Sequence, residues 1–429
     1  MSPRHLISYC FFFALAAIPC VAQNAQTLSL GNAEKIAIDN HPQIQAAGYL
    51  AAAARAQVTQ ARSAYYPQAF GSLTGAEAEH DSRIAAGALN NPTIYDRYSN
   101  GVTVGQLVTD FGRTHELVKS ASLHAQAQQE NVTTSRADVL LSVDRAYYGV
   151  LRAEAVLKVA EETVRNRQLI SDQITALKQN KLRSGLDVSF ANVDLAQAQL
   201  LLIEAQNGVQ ASYADLSTAL GYEQERTFTL AEEAVPPAPS PNISDLIAQA
   251  LQNRPELISE RLSVRSAQSY ATAERDLWFP TISAVGTAGL TPVREEPLGS
   301  RYAAAGFNVN IPLFNGHQFS ALRAEANAEA QAQQQYLRDV QNGVVRDVRK
   351  AWLDANAEFQ RLAVTDQLLS QATQALDLAQ QRYKLGLSSI IELSQAQLNM
   401  TQAEITQASA KYDYETAISA LNYQIGVTH

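Results

Sequence analysis

The chain has 429 residues, of which 46% are hydrophobic and 17% charged, and its formal net charge is −9. The mild acidity and the lack of a basic run argue against a nucleic-acid-binding surface. Glycine and proline are scarce, with 20 and 14 residues, and this composition suits long, closely packed helices better than a mixed α/β enzyme.

The first 22 residues have the pattern of a secretory signal peptide. Arg4 supplies a positive charge, and the apolar run over residues 6–18 is shorter than the ~20 residues of a membrane span, which disfavours an uncleaved anchor. Both cysteines, Cys10 and Cys20, lie in this segment. We therefore expect an exported chain without disulfides, thiol chemistry or cysteine-ligated metals. No later run of 18 apolar residues predicts a transmembrane helix.

The remainder reads as two copies of one plan, residues 23–231 and 243–429, joined by a proline-rich segment at 232–242. Each copy begins with a short predicted helix, Leu30–Asn40 or Ile243–Asn253. A proline then opens a second helix and another proline ends it, with a spacing of 25 residues in both copies. Proline is tolerated in a first helical turn and restricts the residue before it, so each pair brackets a helix.

Four segments alternate between apolar and polar residues, near 67–76, 101–108, 281–290 and 304–312. A period of two over about ten residues is typical of a transmembrane β-strand, with apolar residues toward lipid and polar residues toward a lumen. Half-buried strands of a soluble sheet remain the alternative for these segments alone. Residues 74–98 and 291–301 would form outer loops.

Aromatic residues at the strand ends favour the membrane interpretation, because such residues concentrate at membrane–water interfaces. The predicted interface residues are Tyr65, Tyr66, Phe111, Trp278, Phe279 and Phe314, with Tyr95, Tyr98 and Tyr302 near the far ends. Even small barrels need about eight strands, and an open sheet edge is not tolerated in lipid. Four spanning strands therefore predict an oligomer that shares one barrel.

Two long helical runs follow the strands, one from Arg113 and one over His317–Lys384. A helix of roughly 65 residues would be about 100 Å long, too long for an ordinary globular domain. The second run has the 4-3-4-3 spacing of a coiled-coil seam, with the members Val348, Trp352, Ala355, Phe359, Leu362, Thr365, Leu369, Ala372, Leu376, Ala379 and Tyr383.

Each long helix is predicted to end at a glycine. Lys181, Arg183 and Gly185 would close the first, and Arg382, Lys384 and Gly386 the second. Helix capping explains these residues, but the two tips could also close a pore or contact a partner. No zinc-binding helix motif, nucleophile elbow or phosphate-binding loop occurs in the sequence. The sequence therefore predicts no active site, no cofactor and no metal.

The duplicated plan resembles the TolC-like outer membrane efflux proteins over essentially all of the mature chain. The motifs that carry this resemblance are Tyr-Tyr-Pro at 65–67, Trp-Phe-Pro at 278–280, Val-Asn-Ile-Pro-Leu-Phe-Asn-Gly at 309–316, Thr-Asp-Phe-Gly-Arg at 109–113, and Gly-Leu at 185–186 and 386–387. The resemblance implies a mainly α fold with a duplicated coiled-coil tunnel in the periplasm. It also implies a homotrimer in which each protomer adds four strands to a twelve-stranded barrel.

The resemblance places a closed entrance at the tips. Tyr383 matches the family's tip tyrosine, Ser388 lies where the family has a linking arginine, and Glu392 and Gln395 lie where it has two constricting aspartates. In the first copy, Ala191 lies where the family has a linking aspartate, with Asp187 and Asp194 nearby.

Only Glu392 keeps the acidic constriction, and the arginine–aspartate link is absent. We expect apolar packing at Leu387, Ile390 and Ile391 to replace such links, since exposed ion pairs contribute only about 0–1 kcal/mol each.

The resemblance implies an outer-membrane exit duct that contacts lipid, a periplasmic adaptor and an inner-membrane transporter of RND, ABC or MFS type. The adaptor would contact Arg183, Gly185, Leu186, Lys384, Gly386 and Leu387. Small-molecule efflux of drugs, solvents or metal ions is the leading function. The alternatives are the exit duct of a type I protein secretion system and a secreted coiled-coil structural protein without a pore.

Overall fold

The computed structural model describes residues 27–76, 97–291 and 300–427, so the predicted signal peptide and Tyr95 lie outside the described residues. Short 3-10 turns at Ser63–Tyr65 and Asp276–Trp278 follow α2 and α6. The elements in chain order are β1 (Thr27–Leu28), α1 (Leu30–Asn40), α2 (Pro42–Arg62), β2 (Gln68–Ala76), β3 (Arg97–Thr109), α3 (Arg113–Gln179), α4 (Gly185–Ala219), β4 (Thr229–Leu230), α5 (Ile243–Asn253), α6 (Pro255–Arg275), β5 (Thr281–Leu290), β6 (Arg301–Asn310), α7 (Gln318–Lys384) and α8 (Ile390–Ile425).

Two helices of 67 residues, α3 and α7, form the long axis of the protomer. At 1.5 Å per residue each is about 100 Å long. Helix α3 packs against α4 and α7 against α8, so each copy ends in a helical hairpin, and α3 also contacts α8 across the two copies. The predicted seam of α7 is buried mainly through its small members, among them Ala355, Ala372 and Ala379. Alanine at alternate seam positions lets the two helices of a hairpin approach closely.

The four longer strands form one antiparallel sheet in the order β2-β3-β5-β6. Strand β3 begins four residues before the predicted segment, and β6 covers 301–310 instead of 304–312. The predicted outer loops are correspondingly shorter, because Thr74 pairs with Ser99 and Leu290 pairs with Arg301. The β2 and β6 edges have no strand partner among the described residues.

The register gives this sheet one apolar face and one mainly polar face, which also carries Phe70, Leu107 and Val285. Thr103 lies beside Thr287 on the polar face, where their hydroxyl oxygens are 3.3 Å apart. Asn308 and Asn310 lie on that same face, opposite Ser283 and Thr281. The other face carries Ala69, Leu73, Val102, Val104, Ile282, Ala284, Ala288, Leu290, Ala303, Ala305, Phe307 and Val309.

Near mid-height an extended strap, residues 228–240, crosses the long helices. It includes most of the proline-rich joint and the four residues before it. The strap forms no regular ladder over its prolines, which have no N–H to donate. Its carbonyl groups still need partners, and four of them accept hydrogen bonds from aromatic side chains of the helices. The donors are Tyr213 to Phe228 (2.6 Å), Tyr147 to Ala231 (2.6 Å), Tyr414 to Pro237 (2.5 Å) and Trp352 to Ser240 (2.8 Å). These contacts come from α4, α3, α8 and α7, so the strap is bonded to all four helices.

Two acidic side chains near this strap have raised pKa values: Glu415, which is buried, and Glu34, which is half-buried. Glu415 on α8 is 2% exposed, and neither carboxyl oxygen has a hydrogen-bond partner among the described residues. Burial raises its pKa to about 7; Glu233 and Glu232 add to the shift and Lys411 opposes it. Burial, and the charge of its hydrogen-bonded partner Asp144, also raise the pKa of Glu34 to about 7.

Replacing Glu415 with glutamine should stabilise the protein above pH 7 and leave its stability at pH 4.5 nearly unchanged. The folded state holds the Glu415 proton up to about pH 7, whereas an unfolded glutamate releases it near pH 4.3. Wild-type stability therefore falls as pH rises through this window, and the variant should recover roughly 1–3 kcal/mol per protomer above it.

Thermal unfolding of both proteins at pH 5 and pH 8 measures the effect. The exposed Glu161 of α3 provides the matched control, because Glu161→Gln removes one carboxylate without relieving buried charge. A Glu415→Gln protein with the same loss of stability between pH 5 and pH 8 as the control would contradict the assignment.

One helix of the described residues, α4, is long and apolar enough to cross a membrane by length and composition alone, although the sequence predicted no such helix. In the structure α4 instead packs along α3 as the second arm of a hairpin. Its buried contacts toward α3 include Ala191, Ala198 and Ala205, at intervals of seven. Its high hydropathy therefore comes from a second, outward-facing apolar surface.

Candidate functional site

The two hairpins end in turns of the same geometry, 205 residues apart. Lys181 and Gly386 both have positive φ, at +62° and +74°. The next residue, Leu182 or Leu387, donates its N–H back to the carbonyl five residues earlier, at 2.9 and 2.8 Å. Ser184 and Ser389 then cap α4 and α8 through their hydroxyl oxygens. Each turn is thus a helix C-cap, at Asn180 or Leu385, followed four residues later by an N-cap.

This geometry corrects the predicted role of Gly185. Gly185 is the first residue of α4 and does not close α3; the left-handed position belongs to Lys181. Arg183 is therefore the structural counterpart of Ser388. The first tip carries an arginine at the turn position where the second tip has a serine, and an alignment based on the two Gly-Leu pairs cannot show this.

Arg183 connects the two hairpins. Its guanidinium carbon lies 4.0 Å from the centroid of the Tyr383 ring, and Nη2 donates a hydrogen bond of 2.5 Å to the Tyr383 carbonyl oxygen. Tyr383 is only 6% exposed, and burial raises its pKa. A cation over an aromatic face, combined with a charged hydrogen bond, ties the turn of the first hairpin to the last turn of α7.

A second connection lies higher on the same pair of hairpins. Ser394 of α8 donates a hydrogen bond of 2.6 Å to Oδ2 of Asp194 on α4. The guanidinium of Arg167 on α3 lies close by, where burial lowers its pKa and the carboxylates of Asp194 and Glu404 oppose that shift. Asp194, predicted only as a neighbour of the gate, therefore makes a direct contact between the copies.

The other predicted gate residues do not connect the two hairpins. Glu392 pairs with Arg382 at 3.0 Å inside the α7–α8 hairpin. Gln395 donates to Asn399 one turn further along α8. Asp187 forms a capping box with Ser184.

Ser388 lies in the turn with a buried hydroxyl that has no hydrogen-bond partner within the described ranges. It therefore makes no connection to the first hairpin.

An apolar cluster supports the two connections between the hairpins. Ile390 is buried in it, as predicted, whereas Leu387 and Ile391 are exposed and do not contribute. The remaining buried members are Ile174, Ala191, Ala379, Tyr383 and Leu393. A groove of about 860 Å³ lies beside the cluster, between α3 and the α7–α8 hairpin.

Both tips expose aliphatic side chains at equivalent positions. Leu182 and Leu387 are each 67% exposed, and Leu186 and Ile391 follow one turn later, at 63% and 59%. Of the other residues predicted at the tips, Lys384 is the last residue of α7. Exposed apolar side chains in a repeated arrangement indicate a contact surface.

The six predicted interface aromatics all lie at the junction between the sheet and the helices, and all are exposed: Tyr65, Tyr66, Phe111, Trp278, Phe279 and Phe314. The rings of Phe111 and Phe279, from different copies, are 6.1 Å apart. Trp278 also contacts Phe319 edge to face. They form a band at one height on the protomer.

No group of three or more histidine, cysteine, aspartate or glutamate side chains suited to a metal ion occurs in the part of the chain that the structure describes. The geometry at the tips consists of helix caps, one stacked arginine and apolar contacts. This arrangement can hold two hairpins together or release them.

A family model described as "Outer membrane efflux protein" matches residues 35–222 and 246–427. The outer membrane protein TolC of Vibrio cholerae is 25% identical over 429 residues, covering 96% of this chain and 94% of the relative. The alkaline protease secretion protein AprF of Pseudomonas aeruginosa is 24% identical over 437 residues, covering 100% and 90%. A crystal structure of a membrane protein from Pseudomonas aeruginosa has a TM-score of 0.82 at 21% identity, covering 92% and 93%.

Proposed function

This chain belongs to the outer membrane efflux protein family, and we propose that it is the trimeric exit channel of a tripartite pump that expels small molecules. The observation that carries the proposal is the sheet with one polar face, one apolar face and two free edges, joined to helices of about 100 Å. Such a protomer supplies a wall for a barrel and a wall for a tunnel.

The trimer follows from the sheet. In a bilayer the free β2 and β6 edges must pair, and a four-stranded sheet can do so only with other copies, since small barrels have about eight strands. Three copies give the twelve strands of the family barrel. An outward stripe on α4 supports lateral association, because Leu186, Val193, Leu200 and Ile203 are all more than half exposed.

The aromatic band sets the depth in the membrane. Tyr65 and Trp278 occupy equivalent places at the helix-to-strand junctions, where amphipathic rings prefer the lipid headgroup level. The apolar sheet face then contacts outer-membrane lipid, and the helices extend into the periplasm. A half-buried sheet of a soluble protein is disfavoured, because it would leave Phe307 and Val309 facing water.

The tips receive a periplasmic adaptor. Leu182, Leu186 and Leu387 present apolar surface at the end of the helices, next to the groove between the hairpins. Arg183, Gly185, Lys384 and Gly386 complete the predicted contact region. An inner-membrane transporter of RND, ABC or MFS type supplies the energy through that adaptor.

The arginine and aspartate contacts hold the entrance shut. Arg183 on Tyr383 and Asp194 with Ser394 connect the α3–α4 hairpin to the α7–α8 hairpin. Without them, one hairpin would be free to move against the other, which opens the tunnel. In this proposal Tyr383 acts at the gate through its contact with Arg183, whereas Glu392 is paired with Arg382 at the tip of its own hairpin.

Replacing both Leu182 and Leu387 with aspartate should abolish efflux and leave the trimer assembled. A strain lacking the native gene and complemented with wild type should regain resistance to the pump's drugs, whereas the variant should stay sensitive because charged side chains oppose an apolar docking contact. Drug susceptibility and the native mass of the detergent-extracted particle are the two measurements.

The double variant Gln179→Glu with Gln381→Glu is the matched control, since both glutamines are exposed near the tips. Unchanged resistance with the leucine variant would overturn the docking assignment. A wild-type particle of one chain, or one found outside the outer membrane, would overturn the channel.

A second candidate is the exit duct of a type I protein secretion system. The full-length similarity to the alkaline protease secretion protein AprF favours it. Deleting the gene and comparing secreted protein with drug resistance separates the two functions: loss of one exported protein with unchanged resistance would favour secretion.

A further inference from the structure

One tyrosine lies flat against the polar face of the sheet, near the end furthest from the helices. Tyr302 is the second residue of β6, and its register partner on β5 is Gly289. Gly289 in turn pairs with Gly101 of β3, and Gly101 with Ser72 of β2. A single row across all four strands therefore carries one ring, two hydrogens and one hydroxymethyl group.

The two glycines leave the space that the ring occupies. A Cβ added at Gly101 would overlap the hydroxyl oxygen of Tyr302. A Cβ at Gly289 would overlap the same hydroxyl, the ring carbon that bears it, and the backbone carbonyl oxygen of Asn100. The phenol thus extends across β5 as far as β3. Aromatic side chains that cover glycines on a neighbouring strand are a known device of sheets.

The other glycines of the same face are not covered by a ring. Gly105 of β3 and Gly306 of β6 have open space where a Cβ would lie. Tyr302 is also the one aromatic residue that the described part of β6 places on this face, where its neighbours along the strand are Ala304 and Gly306. The position of the ring therefore depends on the glycines of the neighbouring strands in its row and not on side chains of β6.

We propose that Tyr302 determines the free width of the outer mouth of the channel, and that Gly101 and Gly289 let its ring lie flat against the sheet. The proposal rests on the channel function, which makes the polar face the lumen. Three copies at one level would give three rings. When the rings lie flat on the sheet, the mouth is wide. When they are displaced, they extend into the lumen and narrow it. Pore width governs which solutes pass.

Gly101→Ala should displace the ring, since the added methyl group meets chiefly the far end of a flexible side chain. The measurement is labelling from outside the cell at Asn308→Cys, a lumen-face position six residues deeper on β6, with a small and a large maleimide. The Gly101→Ala change should slow the large reagent several-fold and leave the small one unaffected. Conductance is a poorer readout, because the periplasmic entrance lies in series.

Gly105→Ala, on the same strand and face, is the matched control and should label as the parent. Adding Tyr302→Ala to Gly101→Ala should restore the rate of the large reagent. A rate unchanged by Gly101→Ala, or a slow rate that persists in the double variant, would overturn the proposal.

Two further outcomes complete the test. If Gly101→Ala fails to assemble, Tyr302→Ala alone decides. A ring that lies flat on the sheet predicts an unchanged labelling rate for the large reagent. A marked increase in that rate would mean that the ring already obstructs the mouth, and would overturn the proposal. If the small reagent fails to label Asn308→Cys in the otherwise native protein, the lumen assignment and the channel function fail instead.

Discussion

Replacing Arg183 with alanine should raise the single-channel conductance of the purified trimer several-fold in a planar bilayer. In each protomer the substitution removes the guanidinium over Tyr383 and the hydrogen bond to the Tyr383 carbonyl oxygen. The α7–α8 hairpin is then no longer tied to the turn of the α3–α4 hairpin. We expect the open state of the entrance to become the populated one.

The size of the effect follows from the two interactions that the alanine side chain cannot make. A cation–π interaction at a partly exposed site contributes about 0.5–1 kcal/mol, and a hydrogen bond to a charged group about 1.5–3 kcal/mol before solvent competition. Since Arg183 is half-buried, we take about 1–2 kcal/mol per protomer. Three protomers acting together shift the equilibrium by three times that free energy, which is enough to reverse the preference for a closed state.

Arg165 is the matched control for this experiment. It lies on α3 and pairs with Glu162 within the same helix, so Arg165→Ala removes an arginine without releasing a hairpin. Equal conductance of the Arg183→Ala and Arg165→Ala channels would contradict the proposed lock. Asp194→Asn, which weakens the acceptor for Ser394, should add to the Arg183→Ala effect.

Most of the architecture could be predicted because it is periodic. The 3.5-residue spacing from Val348 to Tyr383 marks one face of a helix, and the structure buries mainly the small members of that face, while Phe359 stays 37% exposed. The alternation over 281–290 likewise fixes which side of β5 is apolar. Strand limits were less accurate, because Thr74–Ala76 and Arg97–Asn100 have no strong alternation and are ordered by pairing with each other.

The tips were predicted less well because turns depend on backbone geometry that the sequence pattern does not display. Gly185 looked like a C-cap, yet Lys181 adopts the left-handed conformation and Gly185 begins α4. The contact between Arg183 and Tyr383 joins residues 200 positions apart, and no local period reports such a pair. The 205-residue offset between the turns would have matched Arg183 with Ser388, once Ser184 and Ser389 were matched as N-caps, but it does not predict the contact with Tyr383.

Helix α4 carries two opposite apolar faces, and only one of them has a partner within the protomer. Ala191, Ala198 and Ala205 are buried on one face, and Ala191 also lies in the apolar cluster with residues of α7 and α8. The other face carries Leu200 and Ile203, each 61% exposed, in line with Leu186 and Val193. An exposed apolar stripe from Leu186 to Ile203 is costly in water, so a neighbouring protomer must cover it if the periplasmic tunnel is to be closed.

Replacing Leu200 and Ile203 together with aspartate should prevent trimer formation and abolish efflux, the largest effect that we expect from any pair of surface substitutions. Removing each apolar side chain from a buried interface costs about 1.5–3 kcal/mol, and a carboxylate buried without a partner costs several kcal/mol more, at three interfaces. Native mass spectrometry of the extracted protein should show one chain in place of three. The exposed pair Gln199→Asp with Gln206→Asp adds the same charge at polar positions one turn before and one turn after Ile203. It keeps the apolar side chains and should leave the trimer intact. A stable trimer of the Leu200→Asp, Ile203→Asp protein would mean that the stripe faces solvent or lumen, and the barrel edges alone would then have to hold the three copies together.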